Sequence, residues 1–194
     1  MSGRLPGPER RRQLLSVARS VLSENGYHGT TMTDIAGAAG VTKPVLYQHF
    51  TSKRELYRTV LEDTGTRLGA AVVERASAAS SPRQRAEAGI RAYAKFVAED
   101  PDGFKLLFSG TNREDPEWSS IITGVEQSLA QSVAALIDVP GIDGPRRQAL
   151  AHGIIGLAES MMRNAKSNPD LAYSEEQLVL DITALLWAGL RGLE

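Results

Sequence analysis

Lys43, Pro44, Val45, Tyr47, Gln48 and His49 fall within seven consecutive residues, and their chemistry suits the edge of a base pair better than a reacting bond. Lys43 and Gln48 can hydrogen-bond purine edges, while Val45 and the Pro44 ring can press on thymine methyls. Tyr47, His49 and the nearby Lys53 suit phosphate oxygens, which position a protein on a duplex without specifying sequence. Catalytic patterns are missing: there is no GxSxG, GxGxxG, phosphate-loop or HExxH arrangement, and His28, His49 and His152 have no metal-ligand spacing. With no cysteine, thiolate metal sites, disulfides and cysteine nucleophiles fall away together. The adjacent acids Glu114-Asp115 and Glu175-Glu176 sit at expected helix starts, where negative charge favours the helix dipole, so both pairs read as caps. Neither an enzyme nor a resident cofactor or metal is expected.

Side chains that read a groove need a frame to present them, and residues 31–50, TMTDIAGAAGVTKPVLYQHF, supply one. Thr31 to Asp34 form a capping-box pattern that opens a short helix through Ala39, and Gly40 turns the chain. Thr42 is placed to cap a third helix from Lys43 to Phe50, where Pro44 is tolerated because the first turn donates no amide hydrogen bonds. Small Ala36 and Ala39 permit close approach, with Leu46 and Phe50 on the core side. This is helix-turn-helix grammar, in which the second helix enters the major groove and its N-terminal residues reach base edges. An ordinary helical hairpin would make Tyr47 and His49 mere fillers. Charge argues against that: residues 1–60 hold nine Lys/Arg against four Asp/Glu, a balance of +5, while the remainder holds 13 against 19, a balance of −6. A basic part that meets a polyanion is thus joined to an acidic part that does not.

The whole chain reads as helical, and its 194 residues suffice for one large domain or two small ones. Nine helices and no sheet are expected. The first runs from Pro8 to Glu24 and stops at Gly26, and a second capping box, Ser52 to Glu55, opens a long fourth helix. Helices 5 and 6 follow Ser81-Pro82 and Asp100-Pro101, with Gly110 as the stop of helix 6. Helix 7 begins near Asp115-Pro116, helix 8 spans Pro145 to Ser167, and helix 9 opens at Ser174. Helix 9 is apolar nearly all round, which requires burial on two sides. No apolar run approaches the ~20 residues of a membrane span, and no apolar segment follows Arg4 and Arg10 to Arg12 to make a secretory signal. A cytoplasmic protein without a membrane partner is expected.

The stretch from Gly26 through Tyr57 resembles the DNA-binding domain of the TetR family of bacterial transcriptional regulators. It does so through Gly26, Tyr27, Thr30, Thr31, Ile35, Ala36, Ala39, Gly40, Val41, Leu46, Tyr47, His49, Phe50, Lys53 and Leu56. Pro44 departs from the small residue, often Gly, that the family carries there, which bears on the detailed base contacts and not on the motif. The resemblance implies an all-α fold with a three-helix DNA-binding domain at residues 8–60 and a helical ligand-binding and dimerisation domain at residues 61–194. It also implies a homodimer, a palindromic double-stranded operator and a small-molecule effector. The DNA-facing set becomes Thr31, Thr33, Thr42, Lys43, Pro44, Val45, Tyr47, Gln48, His49 and Lys53.

Tyr93, Phe96, Phe104, Phe108, Trp118, Met161 and Met162 lie on the helices that resemble the family's ligand chamber, and aromatics with adaptable Met suit an apolar or aromatic molecule. Gly153, Gly156, Ala158, Ala184, Ala188 and Gly189 offer small faces on the two helices through which the family dimerises. The expected function is a repressor released from its operator by such a molecule. Two alternatives stand beside it: a ligand-independent DNA-binding protein whose C-terminal domain only dimerises, and a protein-interaction adaptor using the same helices.

Overall fold

The computed structural model describes residues 6–108 and 115–193; Arg4, the expected stop at Gly110 and Glu114 lie outside them. Among the described residues there are nine α-helices and no strand. They are α1 (Gly7–Gly29), α2 (Met32–Ala38), α3 (Lys43–Tyr47), α4 (Lys53–Ser77), α5 (Pro82–Glu99), α6 (Pro101–Phe108), α7 (Pro116–Ala134), α8 (Gly144–Ser167) and α9 (Glu175–Arg191), with a 3-10 turn at Pro169–Leu171. No helix among them is long and apolar enough to cross a membrane.

Local chemistry sets most boundaries. The Ser81, Asp143 and Ser174 side chains accept from the amides of Gln84, Arg146 and Gln177, covering donors that a helix start leaves orphaned. Gly26, at φ +70°, breaks α1 where a side chain would be strained, leaving one further turn to Gly29. Two caps differ from expectation. Thr42 occupies the N-cap position of α3 but makes no side-chain cap bond; Pro44 at the second position has no N–H to offer. At α4, Ser52 accepts from the Glu55 amide at 3.1 Å, whereas the Glu55 carboxylate reaches Thr51, taking its amide and hydroxyl at 2.7 and 2.6 Å. α3 also ends at Tyr47, short of Phe50. The chain continues as a turn, with the Phe50 amide donating to the Leu46 carbonyl at 3.1 Å; Arg11 Nη1 donates to the His49 carbonyl at 2.7 Å and its guanidinium lies 4.3 Å from the Phe50 ring centre.

The chain divides into two compact units, and the partition departs from a cut at residue 60. Unit 1 comprises Met1–Thr64 with Asp102–Ile122, and unit 2 comprises Gly65–Pro101 with Thr123–Glu194. Residues 102–122 were expected in the second domain, but side-chain chemistry draws them into the first. Ser23 Oγ donates to Asp102 Oδ1 at 2.6 Å, His28 Nε2 lies 3.1 Å from Asp115 Oδ2, and Trp118 packs its ring 4.4 Å from that of Tyr27 and 4.7 Å from that of Tyr57. Leu107, Trp118 and Ile122 are as buried as Leu14, Ile35, Leu46 and Phe50. In unit 2, Arg91 on α5 bridges Glu87 and Glu176 of α9, holding the Glu176 carboxyl below its ordinary range. Lys166 Nζ donates to the Val97 carbonyl at 3.0 Å, tying α8 to α5.

Candidate functional site: an exposed helix and an apolar cavity

α2 and α3 meet through a turn at Gly40, which adopts φ +64°; the Val41 amide donates to Ala36 at 3.0 Å, and Ala36 and Ala39 are buried where the helices approach. The start of α2 is fixed by Thr31. Its amide and hydroxyl donate to Asp34 at 2.8 and 2.7 Å, and these bonds hold the Asp34 carboxyl below its ordinary range. Leu46 and Phe50 are inaccessible and anchor α3 from beneath. The opposite side is open. Lys43, Pro44, Tyr47 and Gln48 are exposed, as are Thr31, Thr33 and Thr42, while Val45 and His49 are half-buried. Lys43 Nζ stands 5.9 Å from the Tyr47 ring centre, four residues along the same face. All ten expected DNA-facing residues therefore retain accessible surface, Lys53 at the start of α4 being half-buried like Val45 and His49.

Lys53 differs from the other nine in where its charge goes. Its ammonium donates to the Tyr27 and Thr30 carbonyls, both at 2.8 Å, and lies 4.2 Å from the Tyr27 ring centre. It ties down the end of α1, where the Tyr27 carbonyl also accepts from the Thr30 amide at 3.4 Å, instead of standing free for a phosphate. Lys53→Ala is expected to destabilise the protein by about 2 kcal/mol, the range for hydrogen bonds to charged groups. It should weaken duplex binding while leaving the slope of log affinity against log salt unchanged. A lysine on a phosphate would reduce that slope by about one. Anisotropy titrations across a salt series, beside thermal melting, separate the two roles. Arg11 gave no signal beyond its place in a basic cluster, yet it too spends its charge inward.

Unit 2 holds a cavity of about 190 Å³. Val72 and Ala76 come from α4, Gly89, Ile90 and Tyr93 from α5, Leu129 and Val133 from α7, Ile154 and Ile155 from α8, and Leu186, Trp187 and Leu190 from α9. The lining is overwhelmingly apolar, with Arg85, Asp138 and Arg191 supplying charge. Of the seven expected ligand residues only Tyr93 lines this cavity. Phe104 and Phe108 pair with each other in unit 1 at 5.0 Å, and Trp118 belongs to the Tyr27–Tyr57 cluster. Phe96 is buried with the Arg67 guanidinium 5.5 Å from its ring centre. Met162 is buried and Met161 half-buried on α8, both away from the lining. The aliphatic residues that do line the cavity carried no distinguishing sequence signal, since Leu, Ile and Val at helical spacing look the same facing a void or a filled core.

Residues 14–60 match the family described as bacterial regulatory proteins, tetR family. Over 188 residues the chain is 33% identical to the HTH-type transcriptional activator FasR of Mycolicibacterium smegmatis, covering 96% of this chain and 85% of that protein. The fatty acid degradation regulator FadR of Bacillus halodurans superposes with a TM-score of 0.80 at 20% identity, covering 97% of this chain and 99% of that one. FadR of Bacillus subtilis, solved in complex with stearoyl-CoA, superposes with a TM-score of 0.77 at 17% identity, covering 90% and 96%. The exposed second helix of a glycine-turned pair, the match across that motif and a relative alike over nearly the full length agree: the protein belongs to the TetR family of bacterial transcriptional regulators.

Proposed function

We propose that the protein is a ligand-responsive regulator that binds a palindromic operator as a homodimer and releases it when an aliphatic, anionic amphiphile enters unit 2. The observation that carries this reading is the cavity: apolar walls from five helices, with Arg85 and Arg191 among its lining to meet a negative head. Of the apolar or aromatic molecules that the sequence suggested, its aliphatic walls favour an acyl chain. The stearoyl-CoA bound by the structurally similar FadR is a ligand of that class. A solid second unit would have favoured a ligand-independent protein. At about 190 Å³ the cavity is smaller than the ~300–1,000 Å³ of preformed small-molecule sites, so a long chain must move the lining helices to enter. That requirement supplies the difference in affinity between two states without which a ligand shifts nothing.

DNA binding is assigned to the accessible face of α3, with Lys43, Pro44, Val45 and Gln48 toward the bases and Tyr47, His49, Thr31, Thr33 and Thr42 toward the backbone. The two copies of α3 must lie about 34–36 Å apart to enter successive major grooves. The outer faces of α8 and α9 support the dimer: Leu180 and Leu185 are exposed, and a Cβ added at Gly153, Gly156 or Gly189 would meet nothing within 4 Å. These glycines are not demanded by contacts within the chain, and a second copy is the occupant for which small residues leave room. Whether operator occupancy represses or activates depends on where the operator lies relative to a promoter, and the similar FasR is named an activator.

The test uses an operator selected from random duplex DNA and acyl thioesters from octanoyl- to stearoyl-CoA. At least one is expected to weaken operator binding by about 5–150-fold, and saturating operator must weaken binding of that thioester by the same factor. Equal thioester affinity with and without DNA would overturn the effector reading. A Cβ at Gly89 meets Val72 and Ala76 at ordinary contact distances of 3.7 and 3.8 Å, so Gly89→Leu should fill the cavity and abolish release while retaining operator binding.

A further inference from the structure

Arg10, Arg11 and Arg12 are consecutive, yet the structure gives them different surroundings. Arg10 donates to Gln13 at 2.6 Å on the same helix, Arg12 is exposed, and Arg11 reaches off α1 to the turn that follows α3. All the groups concerned lie within unit 1. With five residues, α3 is far below the ~12–15 at which a helix becomes even marginal by itself, so its orientation has to come from what holds it. Leu46 and Phe50 hold it from the core. The turn holds it from its end: the His49 and Phe50 amides both donate to the Leu46 carbonyl at 3.1 Å, and the His49 carbonyl in turn accepts from Arg11 Nη1 at 2.7 Å. The same guanidinium stands 4.3 Å from the centre of the inaccessible Phe50 ring. Just beyond, the Thr51 hydroxyl and amide hold the Glu55 carboxyl below its ordinary range, with a smaller contribution from the Arg11 charge. Lys53 then bonds the Tyr27 and Thr30 carbonyls, so the residues between α3 and α4 are tied to α1 twice.

We propose that Arg11 is a positioning residue for sequence readout: it sets the angle at which α3 presents Lys43, Pro44, Val45 and Gln48, and takes no phosphate itself. The proposal rests on reading the accessible face of α3 as the face that meets DNA. Its chemistry follows from the shape of a guanidinium, whose N–H donors lie in its plane while its faces are free to cover a ring. One group can therefore bond the His49 carbonyl and cover Phe50 together. A lysine ammonium carries the same charge as a compact point and cannot do both, whereas a phosphate accepts either cation. Charge thus governs a phosphate contact, and the planar fork governs a positioning contact. Hydrogen bonds to base edges weaken steeply when misaligned, but attraction to the phosphates is long-range and carries no sequence information. A tilted α3 loses discrimination before it loses attraction.

The test compares Arg11→Lys and Arg11→Met in the full-length protein, on the selected operator and on a random duplex of equal length, across a salt series at a temperature where every variant is folded. Both should bind the operator about tenfold more weakly, the scale of one lost base contact, with affinity for the random duplex and its salt slope unchanged. Wild-type operator affinity in Arg11→Lys, or a salt slope reduced by about one in Arg11→Met, places the residue on a phosphate and overturns the proposal. Val45→Ala separates this outcome from the reading on which it rests. Beside wild-type Arg11 it should change the base preferred at one operator position, and beside Arg11→Lys that change should fall by more than half. No change of base preference beside wild-type Arg11 means that the α3 face is wrongly assigned, and the positioning role falls with it. A change of equal size in both backgrounds overturns the positioning role alone. If the Arg11 variants fail to fold, the wild type decides: a nuclear Overhauser contact between the Arg11 side chain and the Phe50 ring should be present in the free protein and persist with operator bound. Loss of that contact on adding operator overturns the proposal.

Discussion

Replacing Leu185 with glutamate is expected to turn a dimer into a monomer and to weaken operator binding by about 10²–10⁴-fold, the advantage that two linked sites have over one. Leu185 is 57% exposed and Leu180 44% exposed on the same helix, with Ala184 and Ala188 beside them. The other side of α9, through Val179, Ile182 and Leu186, is already committed to its own unit. The variant should therefore fold, because glutamate at a position open in the single chain costs nothing until a second copy tries to cover it. Covering it then buries an unpaired charge, which is strongly unfavourable. Sedimentation velocity should show the monomer, and each subunit should retain only half-site affinity for DNA. Leu185 does not line the cavity, so thioester binding in unit 2 should persist. A wild type that sediments as a monomer at micromolar concentration, or a glutamate variant that still dimerises, would overturn the assigned interface.

Trp118→Ala should destabilise unit 1 by about 3–5 kcal/mol, the cost of deleting a large buried aromatic side chain. The indole is fully buried and has two ring partners, Tyr27 and Tyr57, so the variant leaves a cavity that neighbouring helices cannot easily fill. Against a total of about 5–15 kcal/mol, that loss is enough to populate unfolded helix-turn-helix and remove operator binding at physiological temperature. Trp118→Phe should be far milder. It gives up ring area, yet it also removes a buried indole N–H that finds no acceptor among the described residues. Urea titration monitored by circular dichroism gives the stability difference, and calorimetry with an acyl thioester supplies the contrast. Had Trp118 lined the ligand chamber, the alanine variant would lose ligand affinity at nearly unchanged stability. The structure leads to the reverse: lost stability and DNA affinity with ligand binding in unit 2 retained at low temperature.

By itself the sequence determined the helices and the recognition motif of this protein, because their signals act within four or five residues. Ser81, Asp143, Ser174 and the reciprocal Thr31–Asp34 pair each satisfy an amide three residues away, so the chain carries its own helix starts. The positive φ at Gly40 and the small Ala36 and Ala39 made the helix-turn-helix legible for the same reason. Tertiary structure alone decided where side chains with more than one possible partner would go. Trp118 at helical spacing fits any core, and it went to Tyr27 and Tyr57, residues 91 and 61 positions earlier, carrying residues 102–122 into unit 1 with it. Lys53 has the right type for a phosphate, but the Tyr27 and Thr30 carbonyls at the end of α1, 26 and 23 residues back, accept its hydrogen bonds. The cavity likewise arises from what aliphatic residues on five helices leave unfilled, a property of their joint packing that is absent from the periodicity of each one.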